Sequence, residues 1–332
     1  MNSAGAELNI QQLRAVHEVV RQGMKISSAA NALCKAQPGI SRQLKEIEEE
    51  LGVEIFRRSR NRIEGLTPAG REILQVAERI LLDIDNLRQI GQEYASPAGG
   101  SLTIATTHTH ARYSLPPVVE RFAKAYPKVQ LTLRQGTPAQ ACALVADGDA
   151  DIAICTEPPG VAGNLMSLPL FYIEWDVVAP ASHPILRNRP ITLEKLANYP
   201  IITHDAAFSG QRVVANAFSR AARPPRVALT GVHADVSKAY VARGLGLAVL
   251  AKVAFEPRID NGLRLLKVGH LFQPSVLRVY FRREKVVRSY VTAFVVRYAP
   301  HVSAENVTAA IKGRNPDLSA MMRRLPPLAA RN

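Results

Sequence analysis

The residues from Ile26 to Leu51 place the strongest constraint on what this chain can fold into. Their apolar spacing predicts two helices joined by a turn of about three residues, as in a helix-turn-helix. Pro38 falls in the first turn of the second helix, where a missing amide hydrogen costs nothing. An ordinary helical hairpin explains the same pattern, so the flanking residues must decide between a helix-turn-helix and such a hairpin. The second helix buries Ile40, Leu44, Ile47 and Leu51 and projects Ser41, Arg42 and Lys45 outward.

An arginine-rich hairpin follows this helix pair. Residues 53–56 and 63–66 are predicted strands, and they enclose RRSRNR at residues 57–62. Most charge runs are solvated loops. Beside a helix-turn-helix, however, such a hairpin is where a wing would reach the sugar–phosphate backbone or the minor groove. We favour the wing.

A long helix is predicted after the hairpin. Thr67 is a capping residue and Pro68 suits the first helical position. The apolar residues that follow recur at alternating spacings of four and three, which is typical of a heptad seam between two paired chains. Residues 92–100 have the composition of a hinge. The seam residues are Ile73, Ala77, Ile80, Ile84 and Leu87.

From Ser101 onward, strands alternate with helices. Two similar halves predict an α/β fold of two doubly wound lobes with a cleft between them. Residues after about 302 are expected to be poorly ordered or accessory. The predicted strands lie at 101–107, 129–134, 151–155, 175–179, 201–203, 226–230, 246–250 and 276–282, and the helices at 114–126, 138–147, 210–222, 234–243 and 286–298.

Charge and cysteine content limit the possible functions. Residues 1–95 hold thirteen basic and thirteen acidic side chains, so the net charge of +14 belongs to the rest of the chain. That basic part favours an anionic ligand or a general attraction to DNA. The three cysteines have no CxxC spacing, and no secretory signal or membrane-spanning run is visible. We therefore expect a cytoplasmic protein without a disulfide framework, a zinc site or a membrane partner.

Three hydroxyl-bearing places are predicted to converge on the cleft. Thr107 and Thr109 lie where a strand ends and a helix begins, which is where doubly wound sheets bind ligands. Ser209 and Gly210 repeat this arrangement in the second lobe, and Thr156 follows another strand. Amides at a helix start with hydroxyls beside them suit sulfate, phosphate or carboxylate. Either threonine alone would more often cap its own helix, but three convergent places favour an anion site.

The two histidines beside these threonines do not form a convincing metal or catalytic site. His108 and His110 are two residues apart at a strand–helix junction and have no carboxylate nearby in the sequence. A hydrogen-bonded pocket or surface histidine is the commoner case. No GxSxG, HExxH or P-loop motif occurs, so we expect no enzyme activity, cofactor or metal.

These motifs resemble the LysR-type transcriptional regulators, and within them the CysB branch, which controls sulfur assimilation. The resemblance rests on AQPGISRQLKEIEEELGVEIFRR and LTPAG in the first part of the chain. In the second part it rests on GSLTIATTHTHARYSLPPV, DADIAICTE and HADVSKAYVARGLGLAVLA. It implies a winged helix-turn-helix, a linker helix and a two-lobed effector domain like that of periplasmic binding proteins. The expected segments are residues 1–66, 67–95, a hinge at 96–100, 101–302 and a tail at 303–332.

The resemblance also implies roles for particular residues. His110 departs from the glutamine usual in the branch, Ser209 replaces a threonine, and Tyr172 is nearest to an indole that lines the branch's cleft. Ala36 stands where the family has a serine or threonine cap. The DNA-binding set we expect is Ser27, Ser28, Gln37, Pro38, Ser41, Arg42, Lys45, Arg58 and Arg60, and the effector set is Thr107, Thr109, His110, Thr156, Tyr172, Ser209 and Gly210.

The sequence therefore predicts a DNA-binding transcription regulator of sulfur assimilation that responds to a small anionic or acetylserine-type effector. Its expected partners are double-stranded promoter DNA, RNA polymerase and further copies of itself, as a homodimer or homotetramer. Three alternatives compete with this interpretation. They are a LysR-type regulator of another pathway with a different effector, a two-lobed solute-binding protein, and an enzyme that acts on DNA.

Overall fold

The computed structural model describes residues 8–60, 62–96, 99–158, 160, 163–221, 224–231, 233–312, 314 and 317–328. The chain divides into two compact units, residues 1–91 and residues 92–332. Within the described residues, no helix combines the length and the apolar character needed to cross a membrane.

The first unit has the helix-turn-helix predicted from the sequence, followed by a hairpin and a long helix. Asn9 and Gln12 form a capping box at the start of the first helix. Gly52 ends the third helix in the left-handed conformation, with φ of 68°. The elements are α1 (Ile10–Arg21), α2 (Ile26–Ala32), α3 (Gln37–Leu51), β1 (Phe56–Ser59), β2 (Arg62–Leu66) and α4 (Pro68–Ala95).

The hairpin differs from its prediction in register. We expected the first strand at residues 53–56, but β1 begins at Phe56 and includes Arg57 and Arg58. The arginine run is therefore mostly strand, because those residues pair with β2 instead of forming a wide loop. Only the turn around Arg60, with φ of 44°, lies beyond the paired residues.

The start of α4 packs tightly against the chain segment that precedes the hairpin. The Thr67 hydroxyl accepts a hydrogen bond from the amide of Gly70 at 2.8 Å, which confirms the predicted cap. A Cβ atom on Gly70 would lie 2.1 Å from the carbonyl oxygen of Ile55. Only glycine permits this approach, so Gly70 fixes where the long helix leaves the unit.

The seam predicted along α4 is partly used within the same chain. Ala77 is fully buried in the core of the first unit, and Ile73 and Ile80 pack against that core. Leu87 is 69% exposed. The interpretation of Ala77 as an interchain seam residue was therefore wrong, because the core of the first unit covers it; Ile73 and Ile80 are half-buried against the same core.

The second unit contains two five-stranded sheets, one in each lobe. The first lobe has strand order β4-β3-β5-β12-β6, and the second has β11-β7-β10-β8-β9. The strands are β3 (Gly99–Thr106), β4 (Lys128–Gln135), β5 (Ile152–Thr156), β6 (Leu165–Ile173), β7 (Trp175–Pro180), β8 (Ile201–His204), β9 (Val227–Gly231), β10 (Leu247–Ala251), β11 (Leu263–Leu266) and β12 (Ser275–Arg282).

Helices cover these sheets, and α11 returns to the first lobe, where it packs against α6. The helices are α5 (His108–Tyr113), α6 (Pro116–Ala125), α7 (Pro138–Ala146), α8 (Leu193–Leu196), α9 (Ser209–Arg220), α10 (Ala234–Ala242), α11 (Ser289–Tyr298), α12 (Ala304–Ile311) and α13 (Leu318–Arg323). Three short 3₁₀ turns lie at Pro184–Arg187, Lys252–Ala254 and Gly269–Leu271.

Three details of the second unit depart from the sequence prediction. The helix expected at 114–126 is present as α6, which begins at Pro116, but a further short helix, α5, precedes it and was not predicted as a separate helix. Strands β6 and β11 were not predicted. Both sheets contain antiparallel pairs, such as β12 with β5 and β6, so they are mixed.

The boundary of the predicted hinge and the expectation of a poorly ordered tail were also wrong. Gly99 and Gly100 belong to β3, paired with Lys128 and Val129 of β4, so the strand starts inside the expected hinge. The described residues after 302 form α12 and α13, and Pro327 then bridges to Tyr172 on the edge strand β6. The tail is structured because Val307, Ala310 and Leu328 are buried in the core of the unit.

Candidate functional site

The outer edge of α3 carries the expected DNA-binding side chains, on the face opposite its buried stripe. Arg42 and Lys45 are exposed, as are Gln37 and Pro38 in the first turn, whereas Ser41 is half-buried. Ala36 is the N-cap and makes no side-chain cap, which leaves the first amides of α3 uncapped.

Ion pairs along α3 hold these cations in place. Arg42 Nε lies 2.7 Å from Glu46 Oε1, and Lys45 Nζ lies 3.4 Å from Glu49 Oε1. Both pairs are four residues apart and well exposed, so they contribute little to stability and leave the cations open to a stronger partner.

The carboxylate of Glu48 ties the hairpin to the same helix. Its Oε1 accepts hydrogen bonds from the amides of Ile55 and Phe56 at 2.9 and 3.1 Å. Its Oε2 pairs with Arg58 Nη2 at 2.6 Å. Arg58 therefore orients β1 against α3, while Arg60 at the turn is exposed. Glu48 was not among the residues expected from the sequence.

The first helix of the helix-turn-helix, α2, carries two of the expected DNA-binding residues, both serines. Ser27 is exposed and Ser28 is half-buried, and both lie in the first turn of α2. Ala29 and Ala30 of the same helix are buried against the core of the first unit. The serines therefore lie on the outer part of a helix whose small side chains allow close packing.

A cavity between the two lobes collects the expected effector residues. It encloses about 430 Å³ including its solvent-open side. Thr107 and Thr156 enter from the first lobe, and Ser209 and Gly210 enter from the second. The described residues that line it are Thr107, Thr109, His110, Thr156, Ile173, Trp175, His204, Phe208, Ser209, Gly210, Ala234, Ala251 and Ala254.

The hydroxyl of Thr107 does not cap its own helix. Thr107 is the N-cap of α5, yet its side chain makes no capping hydrogen bond. It is only 6% exposed, as is Thr156. The helix therefore leaves this hydroxyl unused, which removes the simplest structural explanation for it. The second lobe is similar, because the N-cap of α9 is Phe208, whose side chain cannot accept a hydrogen bond from the first amides.

Two buried histidines line the cavity in their neutral form. Burial lowers the pKa of His110 to about 4, and burial together with the nearby His233 lowers the pKa of His204 to about 4. The Nδ1 atom of His204 has no hydrogen-bond partner among the described residues. The described residues that line the cavity include no lysine, arginine, aspartate or glutamate. These side chains thus offer hydroxyls and imidazoles but no fixed charge.

Gly210 is required because two side chains that line the cavity pack directly against it. A Cβ atom at residue 210 would lie 2.6 Å from His204 Nδ1 and 2.9 Å from Trp175. The indole Nε1 of Trp175 donates to the Ser275 hydroxyl at 3.1 Å, which fixes the ring. Any side chain at residue 210 would displace the histidine or the tryptophan.

Tyr172 does not line the cavity, so this expectation was wrong. Its hydroxyl donates to the carbonyl oxygen of Met322, and its backbone pairs with the tail at Pro326 and Leu328. Successive strand residues point to opposite faces, so the neighbouring Ile173 faces the cavity instead.

His204 is a cavity residue that was not expected from the sequence. No motif marks it, although its position at the end of β8 matches that of Thr106 and Thr107 at the end of β3. That shared position at the end of a strand is the one signal that could have found it.

Comparison with known proteins decides the family. Residues 10–71 match the bacterial regulatory helix-turn-helix protein family, lysR family, and residues 95–299 match the LysR substrate binding domain. The chain belongs to the LysR family of transcriptional regulators. It is a DNA-binding protein of mixed α/β structure with a helix-turn-helix unit and a two-sheet effector domain.

Similar members of the family include two regulators from Burkholderia cenocepacia. The HTH-type transcriptional regulator CysB is 44% identical over 92% of this chain and 98% of its own length. The HTH-type transcriptional regulator SsuR is 41% identical over 92% of this chain and 99% of its own length.

Two solved structures support the fold. The cofactor-binding domain of the Cbl transcriptional regulator is 34% identical, with a TM-score of 0.62, and the match covers 64% of this chain and 94% of that one. A full-length variant of OxyR from Pseudomonas aeruginosa is 20% identical with a TM-score of 0.65, over 90% of this chain and 97% of that one. The second likeness concerns the fold alone.

Proposed function

We propose that this regulator controls genes of sulfur assimilation, including cysteine biosynthesis, in response to a small anionic or acetylserine-type effector. The observation that carries the proposal is the cavity where Thr107 and Thr156 of one lobe meet Ser209 of the other. Sequence similarity to the regulators named CysB and SsuR supports the choice of sulfur assimilation as the pathway.

The chemistry of the cavity suits an oxyanion. An anion held only by neutral donors needs several hydrogen bonds, and hydroxyls, amides and imidazole N–H groups supply them. The neutral His204 donates when its Nδ1 carries the hydrogen, which would also satisfy an atom that the described residues leave unpaired. Because the donors come from both lobes, a bound ligand would favour the closed arrangement of the lobes.

The DNA interface would use α3 and the hairpin. In this proposal Gln37, Pro38, Ser41 and Arg42 face base edges and nearby phosphates in the major groove, and Lys45 contacts phosphate. Ser27 and Ser28 would contact the backbone from α2, and Arg58 and Arg60 would do so from the wing. Two such domains in a homodimer would read successive major grooves about 34 Å apart.

Pairing of chains would use the second half of α4. Leu87 and Tyr94 are 69% and 86% exposed, and Ile90 between them is also exposed. Such apolar side chains on a long helix are typical of a paired surface. We propose that this surface forms the homodimer, that effector domains join dimers into a homotetramer, and that DNA-bound protein contacts RNA polymerase.

The pairing surface is testable with Leu87→Lys. A charge at this exposed position leaves the winged-domain core intact but would have to be buried between paired helices. Analytical ultracentrifugation should show a smaller assembly, and operator binding should weaken with it. Wild-type assembly by this variant would contradict the pairing surface.

The function itself is testable by footprinting the full-length protein on its own upstream region and on promoters of sulfur-assimilation genes. Sulfate, thiosulfate, O-acetylserine, N-acetylserine and adenosine phosphosulfate should each be added separately. The proposal expects a protected site whose extent or affinity changes with one of them. Specific protection that responds to none of these compounds would contradict the effector class.

A LysR-type regulator of another pathway is the second candidate. The observation in its favour is His110, which is buried in the cavity where the CysB branch usually has glutamine. A neutral imidazole offers one donor where an amide offers two, so the effector need not be the same. Protection of promoters outside sulfur metabolism would support this candidate.

A further inference from the structure

A single carboxylate of the second lobe faces three side chains of the first lobe at the rim of the cavity. Asp235, in the first turn of α10, places Oδ2 2.9 Å from His108 Nε2. Its Oδ1 lies 3.2 Å from Arg112 Nε and accepts a hydrogen bond from the Tyr113 hydroxyl. These partners all belong to α5, more than 120 residues earlier in the chain.

The charge of Asp235 is balanced mainly across the cleft. Within its own lobe, Asp235 Oδ1 is 4.0 Å from Lys238 Nζ. Lys238 is engaged more closely by Asp260 Oδ2 and by the carbonyl oxygen of Ala254, both at 2.9 Å. Asp235 therefore depends on the first lobe, and above all on Arg112, for its close cationic partner. His233 adds a ring contact to His108, with centroids 4.3 Å apart.

The helix that Asp235 holds is also the helix that lines the effector cavity. Thr107 is the residue that directly precedes α5, Thr109 and His110 lie within it, and all three line the cavity. His108, Arg112 and Tyr113 turn toward α10 instead. A six-residue helix is short enough that a shift on one side moves the other side with it.

We propose that Asp235 is a positioning residue that fastens the second lobe to α5 and thereby sets the affinity and the exchange rate of the effector. The proposal rests on the effector site proposed above. In this proposal the ligand enters and leaves as the lobes part, and parting the lobes breaks three contacts to one carboxylate. Asp235 thus holds Thr107 and Thr109 at the distance from Ser209 that a small ligand needs, and it slows release.

The decisive variant is Asp235→Asn in the full-length protein. Asparagine keeps the size of the side chain and can still accept from the Tyr113 hydroxyl, but it removes the charge that pairs with Arg112 and His108. Without ligand, amide hydrogen exchange in α5 should become about tenfold faster, because the lobes open more often. In the same variant, affinity for the binding probe, either sulfate or N-acetylserine, should fall about tenfold, mainly through faster dissociation.

Two further variants make the test specific. Glu120→Gln removes a carboxylate from the first lobe whose partner, Lys124, lies on the same helix at 2.7 Å, so it controls for net charge. Arg112→Gln breaks the contact from the other lobe and should reproduce the exchange and affinity changes of Asp235→Asn. It also decides the matter if the Asp235 variant does not fold.

The outcomes are distinguishable. The proposal is upheld if amide hydrogen exchange in α5 is faster and probe binding is weaker in both Asp235→Asn and Arg112→Gln, but not in Glu120→Gln. Unchanged α5 exchange overturns it, and so does faster exchange with unchanged probe affinity. If the wild-type protein binds neither sulfate nor N-acetylserine, the proposed effector class fails, and the exchange comparison alone then upholds or overturns the fastening of the lobes.

Discussion

The outer edge of α3 and the cavity between the lobes both present polar side chains near the start of a helix, but they differ in exposure and charge. On α3 the polar groups are mostly exposed, and Arg42 is paired with Glu46 on its own helix. In the cavity Thr107 and His204 are buried, and none of the described lining side chains is an acid, a lysine or an arginine.

This difference matches two kinds of ligand. Exposed cations can exchange a weak intrahelical partner for a phosphate or a base edge at little cost, which suits a large polyanion. A buried atom such as His204 Nδ1, which has no partner among the described residues, lacks a hydrogen bond that a small ligand could restore. Changes in one region should therefore leave the other region's binding intact.

Gly210→Val should have the largest effect. The new side chain would meet His204 and Trp175 below contact distance, so these two lining residues must move, and effector affinity should fall roughly a hundredfold. Such overpacking should also destabilise the fold, by about 1–3 kcal/mol. Calorimetry with sulfate and N-acetylserine measures the loss of affinity, and operator binding without effector should persist. Gly262→Ala is the matched control, because a Cβ there meets nothing within 4 Å. Equal losses of effector affinity in the two variants would refute a specific role for the close packing of Gly210 against His204 and Trp175.

Arg42→Ala should weaken binding to the operator by about 1–3 kcal/mol if the guanidinium reads a base, and effector binding should not change. Lys124→Ala provides the control, since Lys124 forms the same kind of exposed pair, with Glu120, in the effector domain. Mobility-shift titrations on operator and random DNA measure both. Equal losses on the two DNAs, with a shallower salt dependence, would mean a phosphate contact instead.

Acidification should destabilise the effector domain. The pKa values of His110 and His204 are lowered to about 4, whereas an unfolded histidine titrates near 6.5. The unfolded chain therefore binds more protons between these values, and stability falls as the pH falls from about 7 to about 5, by about 1–2 kcal/mol for each histidine.

Denaturant titrations at pH 7 and at pH 5, followed by the fluorescence of Trp175, the one tryptophan of the chain, measure this loss of stability. His110→Gln should reduce the fall in stability on acidification by about 1–2 kcal/mol, which is the contribution of one histidine. An unchanged pH dependence in that variant would mean that His110 is not a buried neutral side chain.

The sequence predicted most of this architecture because periodicity and capping are local signals. The Thr67 cap and the buried stripe of Ile40, Leu44 and Ile47 appeared as expected, whereas Leu51 at the end of that stripe is 40% exposed. The α4 seam was partly misjudged, because periodicity shows that a face is buried but does not show which partner buries it.

The cavity was predicted in part for the same reason. Its threonines follow strands in an α/β pattern, which is a local cue. His204 and the contact between Asp235 and Arg112 depend on how two lobes meet, and no local pattern carries that information. Tyr172 was misplaced by one strand position, which moves a side chain to the opposite face of the sheet.

Operator binding by wild-type protein and by Thr107→Val, each with and without the responding effector, tests the central claim most directly. Valine keeps the shape of threonine but removes the buried hydroxyl, at a cost of about 1–3 kcal/mol in effector binding. We predict equal operator affinity without effector and a response to effector in the wild type alone at moderate concentration. A variant that responds as the wild type does would contradict the account, because the hydroxyl at the junction of β3 and α5 would then not hold the ligand.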